Sequence, residues 1–213
     1  MNTTADLLDA ALAGDAGAAF TFFAGAEDCG RYVAALAGTD AAPDVLRAAL
    51  ELAWHRDAAT VVDWLRKAGL IAAFRRAAFP VKHLPAVVTA WRGGRGELAE
   101  VRAGVSWTLD RDVACFYSHR IPDGLVDRPI RWTRKPLRID AAPIVLRTVV
   151  PRRPMLAHLC GRGEDEVIVA YAPKVEPDPD PATWRTGFER VVARRQAERE
   201  RLFARLVERR GGA

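Results

Sequence analysis

The chain has 213 residues, of which 50% are hydrophobic and 28% are charged; this suits one domain with an appendage and argues against a disordered protein. No apolar run reaches the roughly 18 residues of a membrane span, and the N-terminus lacks the basic start of a signal peptide. Cys29, Cys115 and Cys160 show no metal-ligand spacing, so neither a disulfide framework nor a metal site is expected. We therefore predict a reduced, cytoplasmic protein without membrane contact, in which Cys115 and Cys160 are buried packing residues.

The net charge of +5 is unevenly distributed along the chain. Residues 1–60 carry a net charge of −6, whereas residues 111–153 carry +6 and residues 182–213 carry +5. A basic middle and tail suit a polyanion such as NAD or a nucleic acid. Alternatively, the charges of each segment simply belong to a solvent-exposed face and bind no partner.

Residues 1–80 predict a bundle of about four or five helices. Apolar residues recur there at helical spacing, as in Val45, Leu46, Leu50 and Ala53, and again in Val61, Val62, Trp64 and Leu65. Breaks are expected near Gly14, at residues 38–40 and at Arg56-Asp57.

After Pro80 the pattern changes to short β-branched runs, which predict strands. We expect strands at 85–91, 105–109, 143–150, 155–159 and 166–171. A short helix should begin after Asp110, which is a plausible N-cap, and a loop should cover 122–128. The fold class is therefore α+β, with a helical bundle at 1–80, a core at 81–175, and a proline-rich linker with a basic helix at 176–213.

Three short elements at strand edges carry residues suited to chemistry. Arg92 stands in Trp-Arg-Gly-Gly after the first strand, and a guanidinium offers paired donors to phosphate oxygens. The second strand contains Ser106-Trp107-Thr108, whose two hydroxyls share one face by strand alternation. Glu164-Asp165-Glu166 leads into the fifth strand, with both glutamates on one side and the aspartate pointing away.

This ordered set resembles the Arg–Ser–Glu signature of mono-ADP-ribosyltransferases, enzymes that transfer ADP-ribose from NAD. The resemblance covers about residues 85–172. It implies a core of two packed, mainly antiparallel sheets, with NAD as the substrate and no metal requirement.

The resemblance also implies a role for each element. Arg92 would bind the NAD phosphates, with Gly93 allowing their close approach. The strand of Ser106, Trp107 and Thr108 would form part of the NAD site, its hydroxyls holding the catalytic carboxylate and the nicotinamide ribose. An aromatic residue of the following helix, Phe116 or Tyr117, would lie near nicotinamide.

Two glutamates would perform the chemistry. Glu166 would stabilise the oxocarbenium ion that forms when nicotinamide leaves. Glu164 would act as the general base for the acceptor, and in the family this first Glu accompanies arginine acceptors. The resemblance thus implies a macromolecular acceptor, more readily a protein than a nucleic acid. A bacterial toxin with an inhibitory antitoxin, a defence effector and a phage modifier all remain open.

Two alternatives stay open from the residues alone. An enzyme of the same kind could modify RNA or DNA, with the basic segments binding the nucleic acid. The core could also be a non-catalytic binding module on the same fold.

Overall fold

The computed structural model describes residues 4–15, 29–120, 141–161 and 164–211, so the predicted loop at 122–128 lies outside the described part. The helices are α1 (Thr4–Leu12), α2 (Cys29–Ala37), α3 (Pro43–Ala77), α4 (Leu98–Arg102), α5 (Arg111–His119) and α6 (Trp184–Gly211). The strands are β1 (Val87–Arg95), β2 (Ser106–Thr108), β3 (Pro143–Pro151), β4 (Met155–Leu159), β5 (Glu166–Val169) and β6 (Glu176–Pro177). None of the described helices combines the length and the apolar character needed to cross a membrane.

The long helix α3 is interrupted twice. Asp57 leaves helical geometry, and its carboxylate accepts hydrogen bonds from the backbone amides of Ala59 at 3.1 Å and Thr60 at 3.3 Å. It therefore starts a new helical segment as an N-cap does, which confirms the predicted break near Arg56-Asp57. Arg66 forms the second break, with a φ of 55° that is unfavourable for a residue with a side chain.

The six described strands form one antiparallel sheet in the order β4-β5-β2-β1-β3-β6. The predicted α+β class is confirmed, but the expected pair of packed sheets is wrong for the part of the chain that is described. All six described strands pair edge to edge in this one sheet. The longest pairing joins β1 and β3, from Val87 opposite Pro151 to Arg95 opposite Pro143.

Strand alternation gives the sheet two different buried faces. On one face, Leu159 and Ile168 pack into the core formed by the N-terminal helices, with Leu50 and Phe74 among its members. On the other face, Trp107 packs in a second core whose members include Leu84, Leu146 and Val167. Because Glu166 is paired with Leu159, its side chain starts on the face that the N-terminal helices cover.

The C-terminal helix α6 packs against α5. Phe188 stacks on Phe116 with ring centroids 5.7 Å apart, and Val191 belongs to the same small core. Arg190 forms an ion pair with Asp112 at 2.6 Å. The predicted N-cap of α5 is confirmed, since the Asp110 carboxylate accepts from the amide of Asp112 at 2.8 Å. The first half of the basic tail is therefore docked on the core through apolar and charged contacts.

Candidate functional site

A cavity of about 590 Å³ lies where α3, β1, β2, α5 and the start of β5 meet. Its volume falls within the range of small-molecule sites in proteins. The structure brings six of the eight predicted site residues to its wall: Arg92, Gly93, Ser106, Thr108, Glu164 and Glu166.

Glu166 is held at both carboxylate oxygens. The Ser106 hydroxyl donates to Oε1, and the Trp54 indole Nε1 donates to Oε2 at 3.0 Å. Burial raises the pKa of Glu166 above its ordinary value, while the hydrogen bonds from Ser106 and Trp54 act in the opposite direction. The result is a largely buried carboxyl group with a fixed orientation at the cavity wall.

Glu164 has a different pair of partners. The Tyr117 hydroxyl donates to its Oε1 at 2.6 Å, and Arg195 of α6 donates to the same oxygen at 2.5 Å. Burial, followed by the charge of Glu164, raises the pKa of Tyr117 to about 12, so Tyr117 stays a donor at neutral pH. The Arg195 guanidinium also lies 4.3 Å from the Phe116 ring centroid. Glu164 could accept a proton as a base only in competition with this ion pair.

Arg92 does not present its guanidinium as the sequence suggested. It is paired with Leu146, so its side chain starts on the face opposite to Glu166, although the residue still lines the cavity. Nε donates to the Val101 carbonyl at 2.8 Å, and Nη1 donates to the Ser106 carbonyl. Burial lowers the pKa of Arg92, while the charge of Glu166 acts to raise it. In this structure Arg92 fixes the turn that leads into Ser106.

Gly93 is explained by helix packing. A Cβ atom at this position would lie 1.7 Å from the Ala114 carbonyl oxygen, so only glycine lets α5 approach β1 this closely. Packing of α5 on β1 therefore explains this glycine by itself, and the approach of a pyrophosphate stays a prediction.

Trp107 and Phe116 do not line the cavity, contrary to their predicted place in the NAD site. Trp107 is 1% exposed in the core on the opposite face, because alternation turns it away from Ser106. Phe116 packs between α5 and α6, whereas Tyr117, the other aromatic residue expected from this helix, lines the cavity. Thr108 lines the cavity, and its hydroxyl donates to the Asp165 carbonyl at 3.1 Å, which fixes the segment carrying both glutamates.

Several site residues were missed by the sequence reasoning. Trp54 and His55 come from α3, where Trp54 follows Leu50 at the spacing of an ordinary core residue. His55 Nε2 is buried at the cavity wall and has no hydrogen-bond partner among the described residues. Arg195 lies in a tail that the sequence pattern described only as basic. No local signal identifies any of the three.

Two cations of α3 also line the cavity. Arg66 is well exposed and pairs with Asp63 at 3.0 Å, and the Lys67 ammonium donates to the Ala103 carbonyl at 2.9 Å. Both contacts lie at the surface, so the two cations can exchange them for the oxygens of an anion.

The structure also corrects the interpretation of the cysteines. Cys29 and Cys115 are buried, but Cys160 is exposed and close to His158 and Asp165. The Asp165 side chain contacts His158 at the end of β4, whereas the glutamates on either side of it, Glu164 and Glu166, line the cavity.

Comparison with known proteins gives this chain no family, because no protein-family model, no curated protein and no solved structure matches it.

Proposed function

We propose that this protein transfers ADP-ribose from NAD to a macromolecular acceptor. The observation that carries the proposal is the Glu166 carboxylate, which Ser106 and Trp54 hold at the wall of a cavity of ligand size. A carboxylate that is already oriented can stabilise a positive charge without reorganisation when that charge develops. This is the electrostatic requirement for breaking a nicotinamide–ribose bond.

In the proposed reaction the bond between the nicotinamide nitrogen and ribose C1′ breaks, and its electron pair leaves with nicotinamide. Glu166 stabilises the oxocarbenium ion that remains. A nucleophilic group of the acceptor then bonds to C1′, and its proton passes to Glu164. For that last step Glu164 must give up part of its contact with Arg195.

The NAD phosphates need cationic or hydrogen-bonding partners at the same cavity. Arg66 and Lys67 can provide charge. His55 Nε2, which is buried and has no hydrogen-bond partner among the described residues, can provide one hydrogen bond once a ligand reaches it. Arg92 contributes by holding the turn before Ser106, and any phosphate contact would be additional to its two carbonyl contacts.

Incubation with NAD labelled in the adenosine portion and a cell lysate tests the proposal. We expect label in macromolecules with the wild-type protein and none with Glu166→Gln. Glu189→Gln is the matched control, since this exposed glutamate forms a surface ion pair with Arg185 on α6. Protease-sensitive label identifies a protein acceptor, and nuclease-sensitive label identifies RNA or DNA.

A second candidate, a non-catalytic module that binds NAD, is favoured by one observation. Arg92 donates to a backbone carbonyl, and Glu164 accepts a hydrogen bond from Arg195. Both side chains therefore already form polar contacts within the chain. This candidate predicts that NAD binds but that no nicotinamide is released.

A further inference from the structure

A cluster of three side chains with metal-binding atoms lies at the end of β4, on the side of the sheet away from the cavity carboxylates. His158 belongs to β4, Cys160 follows that strand, and Asp165 precedes β5. One ligand atom from each residue falls within 4.8 Å of the other two. We propose that His158 Nε2, the Cys160 thiolate and the Asp165 carboxylate bind a divalent transition-metal ion of the zinc class.

The separation between nitrogen and sulfur supports this assignment. Zinc lies at about 2.0 Å from histidine nitrogen and about 2.3 Å from cysteine sulfur, so a tetrahedral ion requires the two atoms to be about 3.5 Å apart. The distance from His158 Nε2 to Cys160 Sγ is 3.4 Å. The same sulfur lies 3.7 Å from Nδ1, so it sits beside the imidazole ring and its side chain must turn toward the Nε2 lone pair to share an ion with it.

Asp165 requires a small displacement. Its Oδ1 is in hydrogen-bond contact with His158 Nε2, which is closer than two ligands of one ion can be. Its side chain is 54% exposed, so rotation about its own bonds can carry an oxygen to the metal. When the ion binds, the proton of His158 moves from Nε2 to Nδ1, and the proton of the Cys160 thiol is released.

A fourth residue, His83, fits the outer sphere of such a site. Its Nε2 lies 2.6 Å from Nδ1 of His158. When His158 coordinates through Nε2, its proton must reside on Nδ1, and His83 Nε2 is placed to accept it. Such a partner fixes the tautomer and the ring orientation of a metal-binding histidine.

The ion would join the end of β4 to the residue between the two cavity glutamates. The three ligands leave one tetrahedral position for water, so the site does not require a further protein ligand. Coordination of Asp165 would hold the backbone of the segment that carries Glu164 and Glu166. The proposed site does not depend on any activity toward NAD.

The test is a titration of the full chain, freed of metal with a chelator, with Co²⁺ in place of Zn²⁺. We expect a thiolate-to-cobalt charge-transfer band that saturates at one equivalent and disappears when Zn²⁺ is added. Cys160→Ser should remove the band, and Cys115→Ala, which changes a buried cysteine away from the cluster, should keep it. His83→Gln should keep the band but weaken binding about 10–100-fold.

A wild-type protein without a saturable band overturns the proposal, and so does a band that persists in Cys160→Ser. Circular dichroism of each metal-free variant shows whether it folds as the wild type does. If Cys160→Ser does not fold, the exposed Asp165→Asn replaces it. An affinity at least about tenfold weaker then supports the site, and an unchanged affinity refutes it.

Discussion

Replacing Trp54 with phenylalanine isolates one hydrogen bond to the proposed catalytic carboxylate. Trp54 is almost fully buried and donates to Glu166 Oε2 at 3.0 Å. Phenylalanine keeps an aromatic ring in the core but leaves that oxygen without this donor. A hydrogen bond to a charged group is worth about 1.5–3 kcal/mol, which corresponds to roughly 10–100-fold in rate.

The pH dependence gives this variant a distinctive result. Burial already raises the pKa of Glu166, and removal of a donor to its ionised form raises that pKa further. Because the ionised form is the active one, nicotinamide release should increase as pH rises through this pKa. In Trp54→Phe the rise should occur at higher pH, and the loss of rate should be largest on the acidic side.

The assay is the initial rate of nicotinamide release from NAD across a pH series. Phe74→Leu is the matched control, because Phe74 is buried and contacts the Trp54 ring edge-on at a centroid distance of 5.4 Å. It should lower Tm through lost packing but leave the position of the acidic rise unchanged. The reasoning is refuted if Trp54→Phe keeps both the wild-type rate and the wild-type pH profile.

Three further predictions concern charged groups. Glu166→Gln should raise Tm at neutral pH, because the raised pKa of Glu166 means that its ionised carboxylate destabilises the folded state there. Calorimetry should show that this gain in Tm shrinks below the pKa of Glu in the unfolded chain, where the carboxyl is protonated in the folded and the unfolded state alike. Arg195→Ala should increase acceptor labelling relative to NAD hydrolysis, because Glu164 loses a competing cation; an unchanged ratio of the two products would contradict this. Asp178→Asn should cost about 1.5–3 kcal/mol in urea unfolding, because it removes the buried carboxylate that pairs with the partly exposed Arg111; a loss below about 0.5 kcal/mol would show that the pair is not needed.

The sequence predicted most strands because their patterns are local, although β1 runs to Arg95 and so includes Arg92, and β6 lies in the predicted linker. Met155–Leu159 was predicted with its observed bounds, and the helix after Asp110 starts where its capping side chain requires. Alternation also placed Ser106 and Trp107 on opposite faces, as observed. Each of these features depends on residues within a few positions of one another.

The features that escaped prediction depend on distant parts of the chain. Trp54 reaches Glu166 across 112 positions, and Arg195 reaches Glu164 across 31. Apolar spacing shows that Trp54 is buried but not what its indole nitrogen contacts. The expectation of two sheets came from the family resemblance, whereas the described strands form one sheet. Strand order depends on pairing between distant segments, so the pattern within any one segment could not have shown this.

The most direct test of the proposed function measures NAD binding and nicotinamide release by the wild-type protein and by Glu166→Gln. Glutamine keeps the shape of the side chain but cannot stabilise a positive charge as a carboxylate does. We predict that the wild type releases nicotinamide, that the variant is slower by about 10²–10³-fold, and that calorimetry finds similar NAD affinities for both. Equal release rates, or NAD binding without release by the wild type, would contradict the role assigned to Glu166.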